Sequence, residues 1–103
     1  GIYDANNAPG TATQIKLFSR APGGAYNYAS PDDTETLVAA GLGLKKATLS
    51  KTFASAGWYY LRALAYTAAG VPSNYADCPE LAVYVSDSDI AAPTNVQASV
   101  ARG

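Results

Sequence analysis

The sequence predicts an all-β fold, an antiparallel sandwich of about seven strands, on three observations. Apolar and polar residues alternate at period two along most of the chain. Gly- and Pro-containing turns such as APGG (21–24) and GVPSN (70–74) separate the alternating runs. No run carries a strong helical period between them. Short alternating segments at regular spacing, without intervening helices, favour a sandwich over a βαβ fold.

The elements follow in order. TATQIKLFSR (11–20) sets Thr13, Ile15 and Leu17 on one face and Gln14, Lys16, Phe18 and Arg20 on the other, a half-buried strand. APGG then turns the chain as a hairpin connection. AYNYAS (25–30) reads as a short tyrosine-containing strand, and the acidic PDDTET (31–36) as a loop. LVAAGLGL (37–44) is short and has two glycines, which weaken a helix. It is expected to be a loop that packs Leu37, Leu42 and Leu44 onto the core. KATLSKTFA (46–54) alternates again, with Ala47, Leu49 and Phe53 in register and Lys51 interrupting the face.

GWYYLRALAYTAA (57–69) is apolar on both faces, as a central strand is. Tyr59, Leu61, Ala63 and Ala65 make one row; Trp58, Tyr60, Arg62, Leu64 and Tyr66 make the other. PELAVYV (79–85) is expected to turn Leu81, Val83 and Val85 inward. SDSDIAAP (86–93) has the composition of a linker. PTNVQASV (93–100) starts a further alternation with Val96, Ala98 and Val100. The expected organisation is a sandwich domain over 1–86 and, over 87–103, a linker plus strand-like tail.

The totals exclude several functions. The 103 residues suffice for one domain, which buries about 65% of the surface its unfolded chain exposes. Charged residues make up 15% of the chain, against about 25% in ordinary proteins. Low charge with many Ala, Ser, Thr, Gly and Tyr suits an extracellular or cell- or virion-surface β module. Seven basic and eight acidic residues give a net charge of −1 with no basic stripe. The electrostatic term that drives nucleic-acid binding is therefore missing. Apolar runs fall far short of the ~20 residues a membrane-spanning helix needs. The chain begins GIYD without a methionine, so it is expected to be a mature product or an excised piece.

No catalytic constellation emerges, and the chain is expected not to be an enzyme. It has no histidine, so no Cys–His dyad can form at its one cysteine, Cys78. The acidic neighbours of ADCPE would raise that thiol's pKa, so a buried, inert role is expected. No GxSxG elbow and no phosphate loop are present. Asp32, Asp33 and Glu35, and Asp87 with Asp89, are acidic groups of the kind that hold Ca²⁺, but an ion needs about six to eight oxygens and no EF-hand spacing occurs. They read as solvated loop charge; no metal and no cofactor are expected. Trp58, Tyr60 and Tyr66, with Tyr26, Tyr28 and Tyr84, face outward. They suit either packing against a neighbouring domain or subunit, the favoured reading, or stacking on sugar rings.

The pattern Tyr59-x-Leu61-x-Ala63-x-Ala65-x-Thr67-x-x-Gly70-x-x-Ser73 resembles strand F of fibronectin type III domains, members of the immunoglobulin-like sandwiches. There a tyrosine and alternating aliphatic residues lead through a glycine turn and a serine into strand G, which ELAVYV resembles. TATQIKLFSR with GGAYNY is similar to strands C and C′, and KATLSKTF to strand E. The resemblance covers residues 11–85. It implies that Tyr59 is the corner tyrosine whose hydroxyl bonds nearby backbone. Two departures stand out. The family's tryptophan usually lies on strand B, whereas Trp58 neighbours the corner tyrosine. Only about ten residues precede the strand C equivalent, while APTNVQASV (92–100) resembles the opening strand A of a following domain.

A sandwich without its first strands exposes unpaired edges, and a spare strand needs one. The tail is then a linker of a module cut from a longer protein, a strand that folds back into its own gap, or a strand inserted into the next copy. The last is strand addition between subunits, with Pro93, Val96, Ala98 and Val100 at the interface. The expected role is structural: a subunit or module of an extracellular fibre, appendage or surface protein, in its sharpest form polymerising head to tail. The expected partners are further copies or neighbouring sandwich modules. The alternative is a carbohydrate-binding or adhesion accessory module of a secreted protein, with a polysaccharide partner.

Overall fold

The computed structural model of the chain describes residues 2–3, 11–41, 44–73, 78–89 and 93–101. Its strands are β1 (Ile2–Tyr3), β2 (Ala12–Arg20), β3 (Asp33–Thr36), β4 (Val38–Gly41), β5 (Leu44–Thr52), β6 (Gly57–Thr67), β7 (Leu81–Val85) and β8 (Pro93–Ala101). Among the described residues they form two four-stranded sheets, β1-β8-β5-β4 and β3-β2-β6-β7. The pairings are antiparallel except that of β1 with β8. The chain is thus all-β, in two layers.

One core joins the layers. Ile15 and Leu17 of β2, Leu61, Ala63 and Ala65 of β6, Val85 of β7, Leu49 of β5, Phe53 just after it, and Leu37 form a single buried cluster. The inner-face register explains the alanines of β6. Ile15 lies opposite Ala65 and Leu17 opposite Ala63, so each large residue meets a small one. Interdigitation of this kind fills a core without voids.

Turn chemistry fixes the connections. Pro22 and Gly23 occupy the centre of a turn closed by a 2.9 Å bond from Gly24 N to Ala21 O, with Gly23 at φ 80°. Proline followed by a positive-φ glycine is the type II arrangement. After β6, Gly70 N donates to Thr67 O at 2.9 Å and Thr67 N to Val71 O at 3.0 Å. Ser73 then returns the chain to the sheet: its N donates to Ala65 O at 2.8 Å and its Oγ to the same oxygen at 3.0 Å.

Three readings of the sequence are corrected. Residues 25–30 are turns and irregular backbone, not a strand. PDDTET holds a strand, β3, paired with Gln14–Leu17 of β2. LVAAGLGL holds β4, and its last residue, Leu44, opens β5. The reason is shared: β3 and β4 are separated by Leu37 alone, at the point where the chain crosses between the sheets. Leu37 is buried as expected, and its N donates to Thr13 O at 3.0 Å. Leu42 and the Leu44 side chain lie outside the described residues. Both strands are sheet edges, where charged and small residues are tolerated and local propensity counts for little. The edge position also explains β7. Val85 is buried and Val83 partly so, but Leu81, expected inward, is 50% exposed.

The tail forms β8 and pairs with β5 of the same chain through eight residue pairs, from Thr52 opposite Pro93 to Lys45 opposite Val100. Ile2 and Tyr3 pair along its other side. Pro93, Val96, Ala98 and Val100 therefore lie on an interior strand of the first sheet. Val96 is partly buried against the core.

Candidate functional site: the outer aromatic face of β2 and β6

The even-numbered residues of β2 and β6 point away from the core that joins the sheets. Register puts Arg20 beside Tyr60, Phe18 beside Arg62 and Lys16 beside Leu64. Cations and rings interleave on this face. The Arg20 guanidinium lies 4.3 Å from the Tyr60 ring centre and the Lys16 ammonium 4.5 Å from that of Tyr66. Arg20 and Arg62 also approach the Tyr26 ring, at 5.4 and 5.2 Å. Such contacts contribute about 0.5–1 kcal/mol each at exposed sites.

Much of the face is covered. Phe18 is 1% exposed and Leu64 is wholly buried, although both point outward from the sheet. Tyr26 and Tyr28, in the segment after the Pro22–Gly23 turn, pack against this cluster. The Phe18 and Tyr28 rings meet edge to face at 4.9 Å, and Tyr26 stands 5.6 Å from Tyr28. Cys78 is buried here too, as expected of the one thiol. Its carbonyl accepts a 2.9 Å bond from Arg62 Nε, while Arg62 Nη1 donates to Tyr28 Oη at 3.0 Å.

Glu80 gathers three donors. Arg20 Nε donates to Oε1 at 3.0 Å, Arg20 Nη2 to Oε2 at 3.2 Å, and Tyr26 Oη to Oε1 at 2.9 Å. The Tyr26 hydroxyl, and then Arg20, hold the Glu80 carboxyl below its usual range. Tyr26 moves the other way. Burial first, and then its bond to the Glu80 carboxylate, push its hydroxyl well above the ordinary tyrosine value.

Of the aromatic residues expected to offer a contact surface, the structure leaves two exposed. Trp58 is 57% exposed, with its ring 5.4 Å from that of Tyr84, itself 59% exposed. Tyr60 is half-buried under Arg20. Tyr66 is buried, 8% exposed, which removes it from any surface strip. Among the described residues, the accessible aromatic surface is thus the Trp58–Tyr84 pair at the β6–β7 edge. Its two rings stand 61° apart, so they offer a corner rather than a flat platform.

Arg20, Arg62 and Glu80 were not anticipated as a unit. The alternation puts both arginines on the same face as the tyrosines, a cue for cation–aromatic contacts. Glu80 lies sixty residues from Arg20, and no local pattern connects them.

The acidic residues of 32–35 serve the fold. Asp32 Oδ1 accepts from Lys51 Nζ at 2.6 Å and Oδ2 from Ser19 Oγ at 2.7 Å. Asp33 Oδ2 accepts from Ser50 N at 2.8 Å, tying β3 to the opposite sheet. A hydrogen bond shared with Asp33 raises the Glu35 carboxyl. Asp87 and Asp89 lie in a short 3-10 helix. No family model matches the chain, and no curated protein or solved structure matches it.

Proposed function

We propose that the chain is a non-enzymatic structural module of the fibronectin type III-like, immunoglobulin-like sandwich class. Its role is in an extracellular fibre, appendage or surface protein. The observation that carries this reading is the pairing of β8. A strand from the end of the chain fills the place between β5 and β1 and completes a sheet otherwise built from upstream residues. The same ladder supplied by a neighbouring copy is a heterologous contact, and its repetition gives an open filament. The Tyr59 hydroxyl bond to upstream backbone and the C-F-G-like order β2-β6-β7 support the sandwich class, with β3 rather than residues 25–30 outside β2.

Sedimentation velocity over a wide concentration range tests the polymer. Growth of the intact chain into long species, abolished by deleting residues 93–103, supports it. A monomer at every concentration overturns it. The Trp58–Tyr84 pair favours a second reading, a carbohydrate-binding or adhesion accessory module. Polysaccharide binding by a stable monomer, lost in Trp58→Ala, supports that reading instead.

A further inference from the structure

The segment 21–31 crosses the outer face of β2 and β6 and is latched at two points to the segment that leads into β7. At one latch, Glu80 holds Arg20 of β2 and Tyr26 of the segment together. At the other, Arg62 of β6 holds the Cys78 carbonyl and the Tyr28 hydroxyl. Beneath lies Phe18, 1% exposed with its ring against that of Tyr28, on a face that a bare sheet would leave to solvent.

Among the described residues, the backbone of the segment bonds mostly within its own turns, Gly24 N to Ala21 O at 2.9 Å and Ser30 N to Asn27 O at 3.1 Å. It rejoins the sheet at Asp32, whose N donates to Leu17 O at 2.7 Å. Segments held by side chains rather than by a ladder open locally, below the free energy of global unfolding.

We propose that residues 21–31 are a strap that opens as a unit when the Glu80 carboxylate is neutralised, uncovering Phe18 on the outer face of β2 and β6. One carboxylate takes all three donors of its latch, so neutralising it weakens every bond there together. The groups facing Glu80 are Arg20 from β2 and Tyr26 from the strap, with Arg62 from β6 acting through space. The two arginines stay cationic and Tyr26 stays protonated at acid and neutral pH. Glu80 is therefore the only member of the latch that changes charge as pH falls. The depressed Glu80 carboxyl agrees with the sign: the closed strap is favoured above the ordinary carboxylate range and lost as pH falls through the lowered one. Opening exposes the Phe18 ring on the outer face of the sheet, opposite Arg62.

Hydrogen exchange on the full chain tests it, comparing wild type with Glu80→Gln at pH 7 and wild type alone from pH 7 to pH 3, corrected for intrinsic exchange. At least tenfold faster exchange of the amides between Gly24 and Asp32, with β5 and β8 unchanged, is the expected result for the variant. The wild type is expected to reach the same local pattern in acid. Unchanged exchange in the strap overturns the proposal, and so does an equal loss of protection in β5 and β8. If the variant fails to fold, the acid series of the wild type decides by the same two criteria.

Discussion

Tyr59 Oη donates a 2.8 Å hydrogen bond to the carbonyl oxygen of Ser55, four residues upstream. The bond spans the turn between β5 and β6, and the Tyr59 ring packs against Phe53 at 4.3 Å. The hydroxyl fixes the entry to β6, while the ring closes one end of the core.

These two contributions separate by mutation. Tyr59→Phe removes the hydroxyl alone and is expected to cost about 1 kcal/mol, the net worth of an intramolecular hydrogen bond. Tyr59→Ala also removes the ring and is expected to cost about 2–4 kcal/mol, near the range for large-to-small aromatic changes. Urea midpoints at constant m-value read both.

Burial on the outer face leads to a less obvious expectation. Phe18 and Trp58 both point away from the main core, but Phe18 is 1% exposed and Trp58 57%. Phe18→Ala is expected to cost about 3–5 kcal/mol. Trp58→Ala is expected to change stability by no more than about 0.5 kcal/mol. Equal effects in thermal or chemical unfolding would mean that the outer face at Phe18 is not covered.

The pH dependence of stability has three contributions with definite signs. Glu80 is depressed, so its contribution is present above the ordinary carboxylate pKa and lost as pH falls through the folded value. Glu35 is raised, so it opposes folding at neutral pH and favours it as pH falls into the raised range. Tyr26 is raised, so its contribution is intact at neutral pH and lost as pH climbs above about 10, where the unfolded chain ionises first. Unfolding titrations should show Glu80→Gln flattening the acid limb and Tyr26→Phe the alkaline one. Glu35→Gln should raise stability at pH 7.

β8 is an interior strand, bonded to β5 on one side and β1 on the other. Proline at an interior position of a sheet removes a ladder bond and is confined to edges and bulges. Val96→Pro is therefore expected to abolish cooperative unfolding. Val96→Ala, at a partly buried site, should cost about 0.5–1.5 kcal/mol. Circular dichroism melts distinguish the two.

The Lys51–Asp32 pair, 2.6 Å apart and about a quarter exposed, is a weak element despite its short distance. Solvent screening leaves such pairs about 0–1 kcal/mol. Lys51→Met is expected to fall in that range, and the difference from wild type should shrink in 1 M salt.

The sequence by itself determined the strands with long alternation. Period two in 11–20, 46–54, 57–69 and 93–100 marks β2, β5, β6 and β8 because side chains on a pleated strand must alternate between faces. It also determined that Tyr59 and its row belong to the core and that Cys78 is buried. Only the tertiary structure decided β3 and β4, whose short, acidic or small-residue runs become strands because a neighbouring ladder accepts them. It alone decided that Tyr66 is buried while Trp58 is exposed, since alternation assigns a face but not what covers it. Lys16 lies over the Tyr66 ring, and Phe18 is covered by Tyr28, carried back over the sheet by an irregular segment that Tyr26 ties to Glu80, sixty residues from its arginine. Contacts of that sequence separation leave no local period to read. The partner of 93–101 was likewise open in sequence, because an unpaired strand specifies a ladder but not the chain that supplies it; in this structure β5 of the same chain does.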